Sequence, residues 1–223
     1  MMDELAKAVQ KKYIDDIVSK YPLHRFAILL ILLLSFHIQY DLNNYRIVQG
    51  ISEIKVNFIF DFSKGLLAQI TINQLFWGIA LTYLIKYLYN LISMSIFNFL
   101  SGKINFSKYT DKIIMDVTSR KSQDNLVNYY VSLDVSKELE KARSQLKSSH
   151  ATSEILMSLI VSITLGGIHL VTIDYLVISA LLILIVAIQW VNFKFYVSNF
   201  IPYYLTEKAL LGSKAKFGDQ FNI

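Results

Sequence analysis

Residues 175–197 read YLVISALLILIVAIQWVNFKFYV, and the first nineteen of them, Tyr175 to Phe193, carry no charged side chain. A helix of that length measures roughly 28 Å, close to the ~30 Å hydrocarbon core of a bilayer. A second apolar run, Ile155–Val171, precedes it, with only Thr172-Ile173-Asp174 between the two. The pair reads as a tight helical hairpin in which Asp174 or Thr172 caps the later helix. Pro202, which cannot donate a backbone hydrogen bond, is expected to end it.

Working toward the N-terminus, the first apolar run is Phe26–Ile38, long enough to span if taken from Leu23 to about Tyr40. Pro22 suits its first turn. It is not read as a cleavable signal, because Asp3, Glu4, Asp15 and Asp16 precede it and no small-residue cleavage site follows. The run Leu66–Leu100 would measure about 50 Å as one helix, so part of it should leave the membrane or lie along it. Lys86, among Tyr83, Tyr87 and Tyr89, marks the expected exit at headgroup level.

Composition agrees. Hydrophobic residues make up 54% and charged residues only 17%, against roughly 25% charged in a typical soluble domain. Mean hydropathy is +0.42. The absence of cysteine excludes disulfides, thiolate metal sites and cysteine nucleophiles. Lys and Arg set the orientation: eighteen lie in 1–25, 101–153 and the C-terminal end from Lys194, against Arg46, Lys55 and Lys64 on the other side, with Lys86 left aside. By the positive-inside rule both termini and the central segment face the cytoplasm of a cell whose inner membrane holds the chain.

The fold expected is therefore an all-α membrane protein with four transmembrane helices, plus small β-hairpins in the external and cytoplasmic connections. Its parts are an amphipathic N-terminal helix (1–22), a first helix pair (23–100) with an external loop (41–65), a cytoplasmic module and basic stalk (101–153), a second transmembrane hairpin (154–200) and a C-terminal tail (201–223). In 2–20, Leu5, Val9, Tyr13 and Ile17 step by four, which places an apolar stripe on the cytoplasmic leaflet or against a partner. Ile54, Val56, Phe58 and Phe60 alternate with more polar neighbours, and Ile113, Met115 and Val117 alternate with Ile114, Asp116 and Thr118 ahead of Leu126–Leu133. That period of two predicts a hairpin in each connection.

Three sets of residues are candidates for function. Val135, Leu139, Ala142 and Leu146 form a seam on the stalk that packs within the protomer or contacts a neighbouring subunit or cytoplasmic partner. Gln74, Gly78, Thr82 and Lys86 form an intramembrane polar stripe, a bundle interface by preference and a conduction path otherwise. Ser158, Ser162 and Gly166 let two backbones approach closely, with Ala180 and Ala187 of the last helix as the obvious partner. His37, Gln39 and His169 share a membrane depth and are candidates for a small polar cluster.

No Gly-rich phosphate loop, G-x-S-x-G or His-Glu-x-x-His occurs, and the apolar runs hold no carboxylate. A non-enzymatic protein without metal or cofactor is expected, and the mixed charges of the stalk do not read as a nucleic-acid surface. The expected partners are the lipid bilayer, further copies of the chain and a cytoplasmic protein. In span count and cytoplasmic termini alone, the layout is similar to four-span bacterial proteins such as immunity proteins against pore-forming colicins and membrane subunits of anti-phage systems. That outline implies recruitment or regulation of a partner, with pore formation and toxin immunity as alternatives.

Overall fold

The computed structural model describes residues 4–17, 23–41, 46–165, 170–212, 216–217 and 221–222. It is all but wholly helical: α1 (Glu4–Ile17), α2 (His24–Phe36) extended by a π-helical turn (His37–Asp41), α3 (Ile47–Glu53), α4 (Val56–Phe60), α5 (Leu66–Gln69), α6 (Ile72–Ser101), α7 (Phe106–Arg120), α8 (Asn125–Thr164), α9 (Thr172–Phe195), a second π-helical turn (Tyr196–Phe200) and α10 (Ile201–Leu210). Two two-residue strands, β1 (Lys216–Phe217) and β2 (Phe221–Asn222), pair antiparallel near the C-terminus.

The chain divides into two compact units. A basic unit comprises 1–20, 93–150 and 188–223, and a bundle unit comprises 21–92 and 151–187. The basic unit holds seventeen Lys and Arg against twelve Asp and Glu, and the bundle unit five against five, so the whole net charge of +5 belongs to the first.

The core of the basic unit is aromatic. Tyr13 of α1 lies 5.1 Å from Phe97 of α6 and 4.8 Å from Tyr196, ring centre to ring centre, and Tyr196 stacks on Phe200 at 4.9 Å. Leu5 and Val9 are buried with them. Leu5, Val9 and Tyr13 of the α1 stripe thus pack into protein, where the expectation placed the stripe on the cytoplasmic leaflet or against a partner. Aromatic rings from α6 and the π turn give it a drier and better-fitting partner than a headgroup layer. Burial pushes the Tyr13 phenol above its ordinary range, against a smaller opposing effect of its hydrogen bond with Ser93.

The bundle unit draws one core from four helices: Ile28 and Leu32 of α2, Ile85 and Tyr89 of α6, Met157 and Ile160 of α8, and Ile185 of α9. Its outer surface is apolar as well. On α6 it exposes Phe76, Trp77, Tyr83 and Tyr87, and on α9 Tyr175, Leu176 and Ile183. Two helical stretches, Ile72–Ser101 and Thr172–Leu210, are long and apolar enough to cross a membrane, and only 22% of the most apolar window of each is buried. His24–Tyr40 is a shorter apolar helix.

Capping chemistry explains some of the departures from the expected elements. The long run breaks at Ile70, whose backbone is extended. Thr71 and Gln74 then form a reciprocal capping box, with the Thr71 amide donating to Gln74 Oε1 at 2.9 Å and the Gln74 amide to Thr71 Oγ1 at 3.2 Å. Both expected hairpins are helical. Residues 47–53 and 56–60 form α3 and α4, while α7 starts on an Asn105 cap that accepts from the Lys108 amide at 3.0 Å. Asp124 does the same for α8, accepting from the Leu126 amide at 2.8 Å. Each alternating stretch is too short to separate a period of two from 3.6; side-chain caps favour the helix at α7 and α8, whereas α3 and α4 start without one. From there α8 runs unbroken for 40 residues through Ile155, about 60 Å.

Asp174 and Thr172, the two expected caps, both lie inside α9, and Asp174 acts from its first turn, its Oδ2 accepting from the Val171 amide at 3.0 Å. Pro202 does not end the helix. The chain stays helical to Leu210, and the π turn Tyr196–Phe200 lies just ahead of Pro202 in the first turn of α10. A π turn shifts the hydrogen-bond register by one residue, which lets the helix continue past a residue without an amide proton.

Candidate functional site

The stalk seam faces the interior of the basic unit. Leu139, Ala142 and Leu146 are buried in its core, and Val135 is half-buried. Charged residues flanking the seam pair locally, Lys137 with Asp134, Lys141 with Glu138, and Arg143 with Glu140.

Of the polar stripe, Gly78 and Thr82 are buried, and Gln74 and Lys86 are half-buried. A Cβ on Gly78 would lie 2.9 Å from Leu29 Cδ1 and 3.2 Å from Leu33 Cδ2, so α2 sits directly on this position. Thr82 Oγ1 donates to the Gly78 carbonyl of its own helix at 2.8 Å, and Gln74 is spent on the capping box. Ser158 and Ser162 are fully buried, while Gly166 and His169 lie outside the described residues. Ala180 and Ala187 are exposed; α9 turns Ile178, Leu181 and Ile185 inward instead. Gln39 donates to the Leu165 carbonyl at 2.8 Å and so satisfies a carbonyl at the end of α8.

The first two turns of α8 show an inverted pattern. Leu126, Val127, Tyr129, Tyr130, Val131 and Leu133 are all exposed, and the two residues buried among them are polar, Asn128 and Ser132. At 100° per residue the six apolar positions cover an arc of roughly 200°. The geometry is held firmly. Asn128 clamps the preceding turn, accepting from the Ser122 amide at 3.0 Å and donating to the Ser122 carbonyl at 2.8 Å. Lys121 Nζ reaches the Ala209 carbonyl at 3.1 Å. A helix that spends its inward face on Asn and Ser and turns Leu, Val and Tyr outward leaves an apolar arc that the described residues do not cover. The sequence signal was present, since Asn128 and Ser132 are four apart, but a strand reading puts them on one face with Leu126 and Tyr130 and so hides the separation of polar from apolar positions.

Two further groups were not found from the sequence. Glu154 is buried, and its Oε2 lies 2.5 Å from His24 Nε2. It stands one residue before the third apolar run, where a count of charges inside the runs passes it over. At the end of α2 opens a cleft of about 510 Å³ lined by His37, Glu53, Lys55, Phe58, Asp61 and Lys64, among others. A second cleft of about 520 Å³, with no charged residue in its lining, has Phe36, Tyr40, Trp77 and Leu165 in its walls. Among the described residues no three His, Asp or Glu side chains converge as a metal site would require.

Compared with protein-family models, curated proteins and solved structures, the chain matches none.

Proposed function

We propose that this is a non-enzymatic, multi-pass inner-membrane protein. Its bundle unit is embedded in the bilayer, and its basic unit, in the cytoplasm, self-associates through the start of α8 to form a platform that recruits or regulates a cytoplasmic protein. The exposed Leu, Val and Tyr arc of residues 126–133 is the observation that carries the reading. An arc of roughly 200° is wider than one flat neighbour covers. It suits a closed ring, in which each copy meets two others through different flanks.

Further support comes from the surface of the bundle unit, whose α6 and α9 stretches turn large apolar side chains outward. A soluble protein rarely exposes apolar patches beyond a few hundred Å². The three segments read as cytoplasmic from their Lys and Arg content are also the three that fold together as the basic unit. Four spans, formed by α2, α6, the later part of α8 and α9, fit the four helices that share the bundle core. The burial of Gly78 and Thr82 beneath Leu29 and Leu33 weighs against a pore lined by that stripe.

The test is the mass of the detergent-purified protein by light scattering. The wild type should contain three or more copies, and Leu126→Glu with Tyr130→Glu should reduce it to a monomer still extracted only by detergent. A monomeric wild type, or a doubly substituted oligomer of unchanged mass, would overturn the assembly.

A further inference from the structure

The cleft at the end of α2 combines features that point to a ligand. Its floor is His37, buried and tilted against the ring of Phe58 at 4.9 Å. Two lysines, Lys55 and Lys64, stand on its wall, exposed and with no ion-pair partner among the described residues. Beside them are two carboxylates in different states of use. Asp61 is engaged in its own turn, accepting from the Ser63 amide at 2.8 Å, the Ser63 hydroxyl at 2.7 Å and the Lys64 amide at 3.1 Å. Those hydrogen bonds hold it below the usual carboxylate range. Glu53 is bound more lightly, accepting from Gln49 Nε2 at 3.1 Å, and is exposed. The cleft therefore offers two lysine ammonium groups outside any ion pair among the described residues and, in the same lining, one accessible carboxylate.

Such a pair of opposite sites is complementary to a zwitterion that carries an anion and a primary ammonium on one short linker. The surroundings select which zwitterion. The cleft lies against the last turn of the apolar helix α2, and the neighbouring Val56, Phe60 and Phe62 are 68–78% exposed. Apolar side chains turned outward beside charged ones are the pattern of a segment lying in the interfacial layer of a bilayer.

We propose that this cleft binds the phosphoethanolamine headgroup of an aminophospholipid of the outer leaflet. Lys55 and Lys64 take the phosphate, Glu53 takes the ammonium, and His37 closes the floor. Two lysines meeting one phosphate act as point charges. Choline, whose nitrogen carries no hydrogen, gives Glu53 nothing to accept, and a glycerol headgroup gives it no cation. The proposal rests on the membrane reading of the bundle unit, and the experiment separates the two.

Native mass spectrometry of the purified protein, titrated with phosphatidylethanolamine, phosphatidylcholine or phosphatidylglycerol of identical chains, measures the selectivity. Phosphatidylethanolamine should be retained at least five-fold more tightly than either of the others. Lys55→Gln with Lys64→Gln should weaken retention and abolish the difference, and Glu53→Gln should remove the preference over both phosphatidylcholine and phosphatidylglycerol. All three positions are exposed, so the variants should fold as the wild type does. Soluble phosphoethanolamine, added in excess, should displace the lipid if the headgroup is what binds. If it binds as tightly as the lipid, the ligand is a free phosphoethanolamine-type molecule and the lipid assignment is wrong. Equal retention of the three lipids, or an unchanged preference in the variants, would overturn the site. Release of the chain from membranes by alkaline carbonate without detergent would instead overturn the membrane reading.

Discussion

At the scale of single residues, the tightest constraint is the turn that ends at Gly65. Its amide donates to the Asp61 carbonyl at 2.9 Å, and a Cβ there would lie 2.1 Å from the Phe58 carbonyl oxygen and 2.4 Å from that of Asp61. Both are backbone atoms and cannot swing aside. Gly65→Ala is expected to destabilise the bundle unit by about 1–3 kcal/mol, read as a lower midpoint of thermal unfolding in detergent; an unchanged midpoint would refute the close approach. The same turn gives a pH dependence. The carboxyl of Asp61 titrates below its ordinary value because three hydrogen bonds favour its charged form. The turn is therefore fully stabilised above the usual carboxylate range, near pH 4 and upward, and loses that stabilisation as the pH falls through the lowered value. Hydrogen exchange at the Ser63 and Lys64 amides should report it, with protection lost on acidification in the wild type and absent at every pH in Asp61→Ala. The His24–Glu154 pair belongs here too. Glu154→Ala leaves a polar ring facing a buried gap and is expected to cost about 3 kcal/mol, whereas His24→Phe with Glu154→Leu should recover most of that loss. A double variant as unstable as the single one would show that the pair itself is not what Glu154 supplies.

At the scale of elements, α8 divides into two stretches with opposite roles. Leu139 and Leu146 are core residues, and Leu126 and Tyr130 are surface residues of the same helix. Leu139→Asp with Leu146→Asp should unfold the basic unit, at a cost above about 4 kcal/mol, and expose residues 101–150 to protease. Leu126→Glu with Tyr130→Glu should leave protease resistance unchanged. The reverse ranking would mean that the seam, and not the start of the helix, is the contact surface. Long helices were legible in the sequence because many turns repeat one period, as in the stalk from Asp134 into the third run. Short connections were not. Ile54–Phe60 and Ile113–Val117 are compatible with either period; the second owes its start to a cap that apolar patterning does not weigh, Asn105 with Lys108, while α3 and α4 start without a side-chain cap. Pro202 misled for a related reason, since a stop signal assumes α-helical register and the π turn ahead of it changes that register.

At the scale of the whole molecule, the apolar character of four runs was plain from composition, while the residues that meet others were only partly so. Small and polar positions such as Gly78, Ser158 and Ser162 are buried, whereas Ala180 and Ala187 are exposed. Spacing fixes which residues share a helix face, and the neighbouring helices decide which face turns inward. The inverted start of α8 and the charged outer cleft depend on chain crossings that no one-dimensional pattern contains. The central claim, that the bundle unit spans the bilayer while the basic unit is cytoplasmic, is tested most directly by labelling, which the absence of native cysteine makes clean. Ser52→Cys and Gln123→Cys, made singly at exposed positions, are treated in intact cells with a membrane-impermeant maleimide. The account predicts that Ser52→Cys is labelled from outside and that Gln123→Cys is labelled only after the membrane is opened. Labelling of Gln123→Cys in intact cells, or protection of Ser52→Cys, would contradict it.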